Sequence, residues 1–210
     1  LSFDDYWWFE NLRVTTTTAD GFRADTGAVF INCECDNSSG TAGRSALETD
    51  AAYSVFVNCA ASSTAGNGFA QGGFSFAVGC YAHDCGQAGF TALSATTDHH
   101  RHVDCVADTC VTGFDFSGAS LNGTQIINCV AYNSTTGINL GSSESMVLNT
   151  ALDTYTTGIT ASASSLSFLI DYCNFTGGGT DVTNVAKGAH CTAAASGFTD
   201  SAGGDFSLTA

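Results

Sequence analysis

Short runs of alternating apolar and polar residues recur along this chain, and the same residue types return at the same places in each run. Val-Phe-Val-Asn-Cys at 55–59, Phe-Ala-Val-Gly-Cys at 76–80, His-Val-Asp-Cys at 102–105 and Ile-Ile-Asn-Cys at 126–129 share one frame. Aligned on their last residue they define a column: Leu12, Cys33, Cys59, Cys80, Cys105, Cys129, Thr150 and Cys173. Successive members stand 21, 26, 21, 25, 24, 21 and 23 residues apart. Internal repeats on this scale mark solenoids. The uneven spacing means that each coil absorbs insertions in its turns.

A second block follows the first. Gly-Phe occurs at 21–22, 68–69, 89–90 and 113–114, and Gly-Ile at 137–138 and 158–159. The glycine lies 9, 9, 9, 8, 8 and 8 residues after its column residue. That constancy predicts a turn of fixed shape, with the glycine supplying φ > 0. Insertions are then expected between the Gly-Phe strand and the next Asn-Cys strand.

Period-2 alternation predicts the faces. Two before the column stand Ile31, Val57, Val78, Val103, Ile127 and Leu148; two after it stand Val14, Cys35, Ala61, Ala82, Ala107, Ala131, Leu152 and Phe175. Both sets are apolar, so they are expected to share the column's inward face. The intervening Asn11, Asn32, Asn58, Asp104, Asn128 and Asn149 point outward or bend the strand. Phe22, Phe69, Phe90, Phe114, Ile138 and Ile159 form another inward stack. Rungs about 4.8 Å apart over about eight coils give a rod of roughly 40 Å. No window holds apolar residues at helical spacing, and the hairpin turns of an antiparallel sandwich are missing.

Composition narrows what such a rod does. The chain has 210 residues, enough for one domain over 1–210, either whole or as part of a longer chain or assembly. Without an initiator Met or a signal pattern at Leu1, it reads as a mature product or a piece of something longer. Twenty acids face five Lys and Arg, for a net charge of -15. This excludes nucleic acid and anionic membranes as partners and disfavours acidic glycans. Proline is absent, as suits laddered strands.

Ten cysteines ordinarily suggest disulfides or metal. Here Cys33, Cys59, Cys80, Cys105 and Cys129 occupy consecutive rungs of one inward column, so a buried thiol ladder is expected. No Cys-x-x-Cys pair offers a zinc knuckle. Stacked Cβ atoms near 4.8 Å lie beyond the usual disulfide range of about 3.5–4.5 Å. Cys85 and Cys110, each five residues past a column cysteine, are the only pair to consider for a disulfide.

Two constellations are candidates for chemistry. Asp98, His99, His100, Arg101, His102 and Asp104 form the densest polar cluster, with His99, His100 and His102 as weak metal-ligand candidates. The expected reading is a solvated loop, because the cluster lies in the variable part of its coil. Three residues after the column stand Asp36, Ser62, His83, Asp108, Tyr132 and Asp153, which would bring His83 and Asp108 onto adjacent rungs beside Asp84. These three are the alternative catalytic set, since paired carboxylates suit glycoside hydrolysis. Tyr6, Trp7, Trp8 and Phe9 form an aromatic cluster expected to cover an open end of the rod or to dock on protein. Asn-x-Ser/Thr sequons at Asn37, Asn122, Asn133 and Asn174 are no more than this composition yields by chance.

Through the repeated Asn-Cys-x-Ala and Gly-Phe blocks and the closing Gly-Phe-Thr-Asp-Ser-Ala-Gly-Gly-Asp-Phe-Ser-Leu at 197–208, nearly the whole chain resembles the right-handed parallel β-helix superfamily, also called pectin-lyase-like. The resemblance implies an all-β, single-stranded right-handed parallel β-helix of about eight coils with inward Cys, Val and Phe ladders. The superfamily spans pectate lyases, polygalacturonases, phage tailspikes, adhesins and virion proteins, so fold alone does not choose among them. The Asn-Thr-Asp, Asp-Asp and Gly-His-Gly signatures of its hydrolases are missing, as is the Arg-x-Pro-x-x-Arg of its lyases. The expectation is a non-catalytic structural or adhesion module, extracellular or on a virion surface, without cofactor. Its expected partners are further copies of itself (a trimer by the family's habit), other structural proteins and surface glycan. The alternative is a polysaccharide lyase or hydrolase using surface carboxylates and histidine.

Overall fold

At every coil the chain turns a corner on the residue before the column. Asn11, Asn32, Asn58, Asp104, Asn128, Asn149 and Tyr172 all have φ between 49 and 56°, and Gly79 has φ 61°. This is the left-handed region, which Asn and Asp tolerate better than other side chains and Gly enters freely. Leu12, at the first coil, is exposed; from Cys33 on the column residue points inward, and its side chain donates to the carbonyl two residues back, across the bend. Cys59 Sγ donates to Val57 O at 3.4 Å, Cys105 to Val103 O at 3.4 Å and Cys129 to Ile127 O at 3.3 Å. Thr150 fills the same role through Oγ1 to Leu148 O at 3.0 Å. A small inward residue with one donor is what the corner requires, and Cys meets that need while remaining apolar enough for a core.

The structure is a computed structural model. It describes the chain except for residues 1, 4–5, 17–18, 26, 38–42, 51, 94–98, 119–122, 142–143, 163–166, 196–197, 201–204 and 209–210. Asp98, Asn122, Gly197, Thr209 and Ala210 therefore lie outside the described residues.

Among the described residues there is no helix, and the chain winds as a right-handed parallel β-solenoid of about seven turns. Three walls surround one core. The first wall follows the column, with strands such as Ala60–Ser63, Tyr81–His83 and Val106–Asp108. The second holds the Gly-Phe strands Asn67–Gln71, Ala88–Ala92 and Thr112–Phe116. These walls merge into one fifteen-stranded sheet, because Val130–Leu140 and Ala151–Ala161 run continuously from one to the other. The third wall is an eight-stranded sheet from Trp7–Glu10 to Leu169–Asp171. Its eight rungs match the expected coil count, with seven full turns between first and last. Phe198–Asp200 and Asp205–Leu208 form a separate antiparallel pair, and Phe206 packs against Tyr132 at 5.5 Å.

The core follows most of the expected columns. Cys33, Cys59, Cys80, Cys105, Cys129 and Cys173 are buried, as are Ala61, Ala82, Ala107 and Ala131 beyond them. The rungs interlock through bonds such as Val106 N to Cys80 O and Val130 N to Cys105 O, both 2.9 Å. Phe69, Phe90 and Phe114 stack with centroids 4.7 and 5.0 Å apart, followed by Ile138 and Ile159 in register. Leu47 supplies the missing member between Phe22 and Phe69.

Two expectations are corrected. Ile31, Val57, Val78, Val103, Ile127 and Leu148 do not face the core; they lie on the outside of the third wall, partly exposed. The residues one position earlier face inward instead: Phe30, Phe56, Ala77, His102, Ile126 and Val147. The left-handed residue at the corner breaks the two-residue alternation, so positions three before and zero share a face. The glycine of the Gly-Phe block is also not the positive-φ residue. That conformation falls on Asp84, Thr109, Asn133 and Thr154, four after the column. Gly113 is needed for space: a Cβ there would lie 2.5 Å from Gly137 O and 3.1 Å from the Ala131 methyl. This second corner repeats the chemistry of the first, with Cys85, Cys110 and Ser134 donating to the carbonyls of His83, Asp108 and Tyr132 at 3.4, 3.3 and 3.2 Å.

Candidate functional site

The outward residues of the first wall form the ladder that the spacing predicts. Asp36, Ser62, His83, Asp108, Tyr132 and Asp153 are consecutive register partners. Adjacency does not pair His83 with Asp108, however. His83 Nδ1 lies 2.9 Å from Asp84 Oδ2, the residue beside it on the corner. Asp108 accepts from Tyr81 OH at 2.9 Å and from Thr109 Oγ1 at 2.8 Å. Burial and the Asp108 carboxylate push the Tyr81 phenol up, so it stays a donor. Asp36 accepts from Ser62 Oγ at 3.0 Å and Asp153 from Thr154 Oγ1 at 3.1 Å. Each carboxylate is thus held as an acceptor by a neighbouring hydroxyl on a shallow wall.

A groove of about 410 Å³ runs over three coils from the corner between the first and second walls across the outer face of the second. Asn67, Gln87, Thr91, Thr112 and Asp115 supply amide, hydroxyl and carboxylate groups, and Leu93 and Val111 form an exposed apolar rim. Asn67 Oδ1 accepts from Ala88 N at 3.1 Å, which fixes the carboxamide by its oxygen and leaves its NH2 as the outer group. Asp115 Oδ1 accepts from Ser117 N and Asn139 Nδ2, both at 3.2 Å. Among the described residues, no Lys or Arg lines this groove. Nothing in the chain's motifs pointed here, because outward positions such as the register partners Thr91 and Asp115 need not repeat from coil to coil.

The histidine cluster divides between surface and core. His99 is exposed and stacks on Phe74 at 5.2 Å, which stacks in turn on Tyr53 at 5.2 Å. All three have positive φ, at the corner between the second and third walls. Phe74 is covered on both faces by its two neighbours, so the middle of this column offers an edge rather than a face for a sugar to stack on. Arg101 is exposed over the Phe76 ring, 5.6 Å from its centroid. His100 and His102 are fully buried, so the expected solvated loop is corrected at these two positions. His102 packs against Phe90, Phe114 and Phe116, and its Nε2 lies 3.0 Å from Gln71 Oε1. Burial pushes its pKa well down, so the ring is neutral. Among the described residues, no group of three or more His, Cys, Asp and Glu is placed to hold a metal.

A second charged cluster went unnoticed in the sequence because its members are far apart there. Arg23 on the second wall bonds Asp50 and lies 3.4 Å from Asp25 and 3.5 Å from Glu48. Arg44 reaches Asp20 at 3.0 Å. Burial, reinforced by Asp20, pushes Glu48 up to about 7. The guanidinium groups fill the space between these acids, so the cluster is a closed network.

All ten cysteines are free thiols, Cys85 and Cys110 included. Cys191 continues the column beyond Cys173 and is the one partly exposed member. Burial pushes Cys35 and Cys173 up to about 12, which leaves them protonated and inert. The exposed aromatic residues of the first rung are Tyr6, Trp7 and Trp8, with Trp7 stacked on buried Phe9. Compared with known proteins, the chain matches no protein-family model and no curated protein.

Proposed function

We propose that this chain is a non-catalytic structural or adhesion module of the pectin-lyase-like superfamily, extracellular or on a virion surface, of tailspike, fibre or capsid-decoration type, and that it contacts neutral glycan. The observation that carries the reading is the pairing of the first-wall carboxylates with neighbouring hydroxyls. A glycosidase needs one carboxyl poised as a proton donor and another as base or nucleophile across a cleft. Asp36, Asp108 and Asp153 instead accept hydrogen bonds on an open wall. The groove at Asn67, Gln87 and Asp115 has the mixture of amides, hydroxyls and apolar rim that suits a polyhydroxy ligand, and its volume suits a short stretch of sugar. With a carboxylate and no basic residue, it favours neutral over acidic chains.

The test is retention of the whole chain on immobilised neutral and acidic polysaccharides, with product analysis on the same polymers. Binding to neutral glycan without shortening it is expected. Depolymerisation that His83→Ala or Asp108→Ala abolishes, with the fold intact, would overturn the reading. One observation favours that second, enzymatic reading. The His83 imidazole is oriented by Asp84 at 2.9 Å, one rung from Asp108, as a general base would be.

A further inference from the structure

The outside of the third wall is apolar almost from end to end. Each of its strands presents two outward residues. One column is Ile31, Val57, Val78, Val103, Ile127 and Leu148; the other includes Val29, Val55, Phe76 and Met146, with Trp8 and Leu169 at its two ends. The exceptions are Glu10, Arg101, Gln125 and Asp171. Strand formation does not require this choice. Thr is as good a strand former as Val, and the second wall presents Thr91, Thr160 and Thr183 outward. Parallel sheets ordinarily have both faces covered. Here the inner face has the core, and no described element packs on the outer face.

The strip is of the size of the largest apolar patch that a single chain ordinarily exposes, a patch that is often functional. Eight rungs at about 4.8 Å, each about three residues wide, give a footprint of roughly 34 Å by 10 Å. Exposed Tyr53 and Phe74 widen it along one edge. Single chains rarely leave contiguous apolar patches of more than a few hundred Å² open. Stable interfaces begin at about 600 Å² per partner, and weak, transient ones lie below that. The strip with its aromatic margin approaches that size.

Charge selects the occupant. The chain carries a net charge of -15. The first wall carries Glu34, Asp36, Asp108 and Asp153 outward, with Arg13 beside Glu34, and the second carries Asp115 and the four acids Asp20, Asp25, Glu48 and Asp50 around Arg23 and Arg44. A second copy is repelled from both. The described outward residues of the third wall carry charge only at Glu10, Arg101 and Asp171, so two such acidic chains meet there with the least repulsion, and an aliphatic strip is complementary to itself. We infer that the third wall is a self-association surface, covered in solution by the third wall of another copy of this chain. This does not depend on glycan contact, which uses another side of the molecule.

Sedimentation velocity and light scattering on the full chain, from about 1 to 100 μM, span the affinities expected of so small an interface. The chain should self-associate, and more strongly in high salt, where repulsion between copies is screened. Val57→Glu with Ile127→Glu should yield a monomer with unchanged far-ultraviolet circular dichroism, because both side chains lie outside the core. Thr160→Glu with Thr183→Glu adds the same charge on the second wall and should leave association intact. If the double Glu variant on the third wall loses its fold, Val57→Thr with Ile127→Thr keeps the β-branched shape and should weaken association at least tenfold. A wild-type chain that stays monomeric throughout, or an oligomer that every third-wall variant retains, would overturn the inference.

Discussion

Replacing Asn128 separates the two contributions of the corner residue. Asn128 has φ 55°, and its Oδ1 accepts from Asn149 Nδ2 at 2.7 Å on the rung above. Ala in the left-handed region costs about 1–2 kcal/mol. Loss of an exposed side-chain hydrogen bond adds about 0.5–1 kcal/mol. Asn128→Ala should therefore destabilise by about 2 kcal/mol. Asn128→Gly loses the same bond without the steric cost, but its freer unfolded chain costs about 0.5–1 kcal/mol. The net for Gly is about 1.5 kcal/mol, and the same position is already Gly at Gly79. For a chain of this length each kcal/mol lowers the melting temperature by about 2–4 °C. Thermal melts followed by circular dichroism should place wild type above Asn128→Gly, and Asn128→Gly above Asn128→Ala. Asn128→Ala melting at or above Asn128→Gly would refute the left-handed corner as the device that turns the coil.

Two buried groups give opposing pH dependences. His102 is held neutral by burial, so the unfolded chain binds more protons below its ordinary pKa of about 6.5, and stability falls by about 1.4 kcal/mol per pH unit below that point. Glu48, raised to about 7, acts in reverse: its contribution is present below about 4.3 and is lost as pH rises to about 7. The two slopes cancel between roughly pH 4.5 and 6.5. Urea melts should show Glu48→Gln losing stability toward acid and His102→Ile losing it toward neutrality across that window, and parallel profiles would contradict both assignments. Ellman titration of the native chain should find Cys191 reacting first and the buried thiols only on denaturation without reductant; several disulfides would contradict the thiol ladder.

What could be read in the sequence was whatever recurred as identity. Cys59, Cys80, Cys105 and Cys129 stood out because one small donor suits the same corner in each coil. Phe69, Phe90 and Phe114 stood out because they stack on their own kind. The outward face of Val57 and Val103 did not, because alternation presumes an unbroken extended backbone, and Asn58 and Asp104 break it. The signal was there: Asn, Asp and Gly, the residues that best enter the left-handed region, occupy that position in nearly every coil. Reading them as corners would also have aligned His102 with Phe30, Phe56 and Ile126 and moved it from a polar cluster into the core. The groove at Asn67, Gln87 and Asp115 had no such signal, since outward positions differ from coil to coil.

The change of face at the corner underlies both the core assignment and the apolar third wall, and one labelling experiment reads it directly. Val103→Cys and Ile126→Cys are each placed in a chain carrying Cys191→Ser, with Val57→Glu and Ile127→Glu to keep the third wall uncovered, and treated with a maleimide under native conditions. Val103 is partly exposed and Ile126 fully buried. The cysteine at 103 should therefore label rapidly, and the one at 126 only after denaturation. A cysteine at 103 as inert as Cys105 would mean that alternation runs unbroken through Asp104 and that the third wall has no apolar outer face.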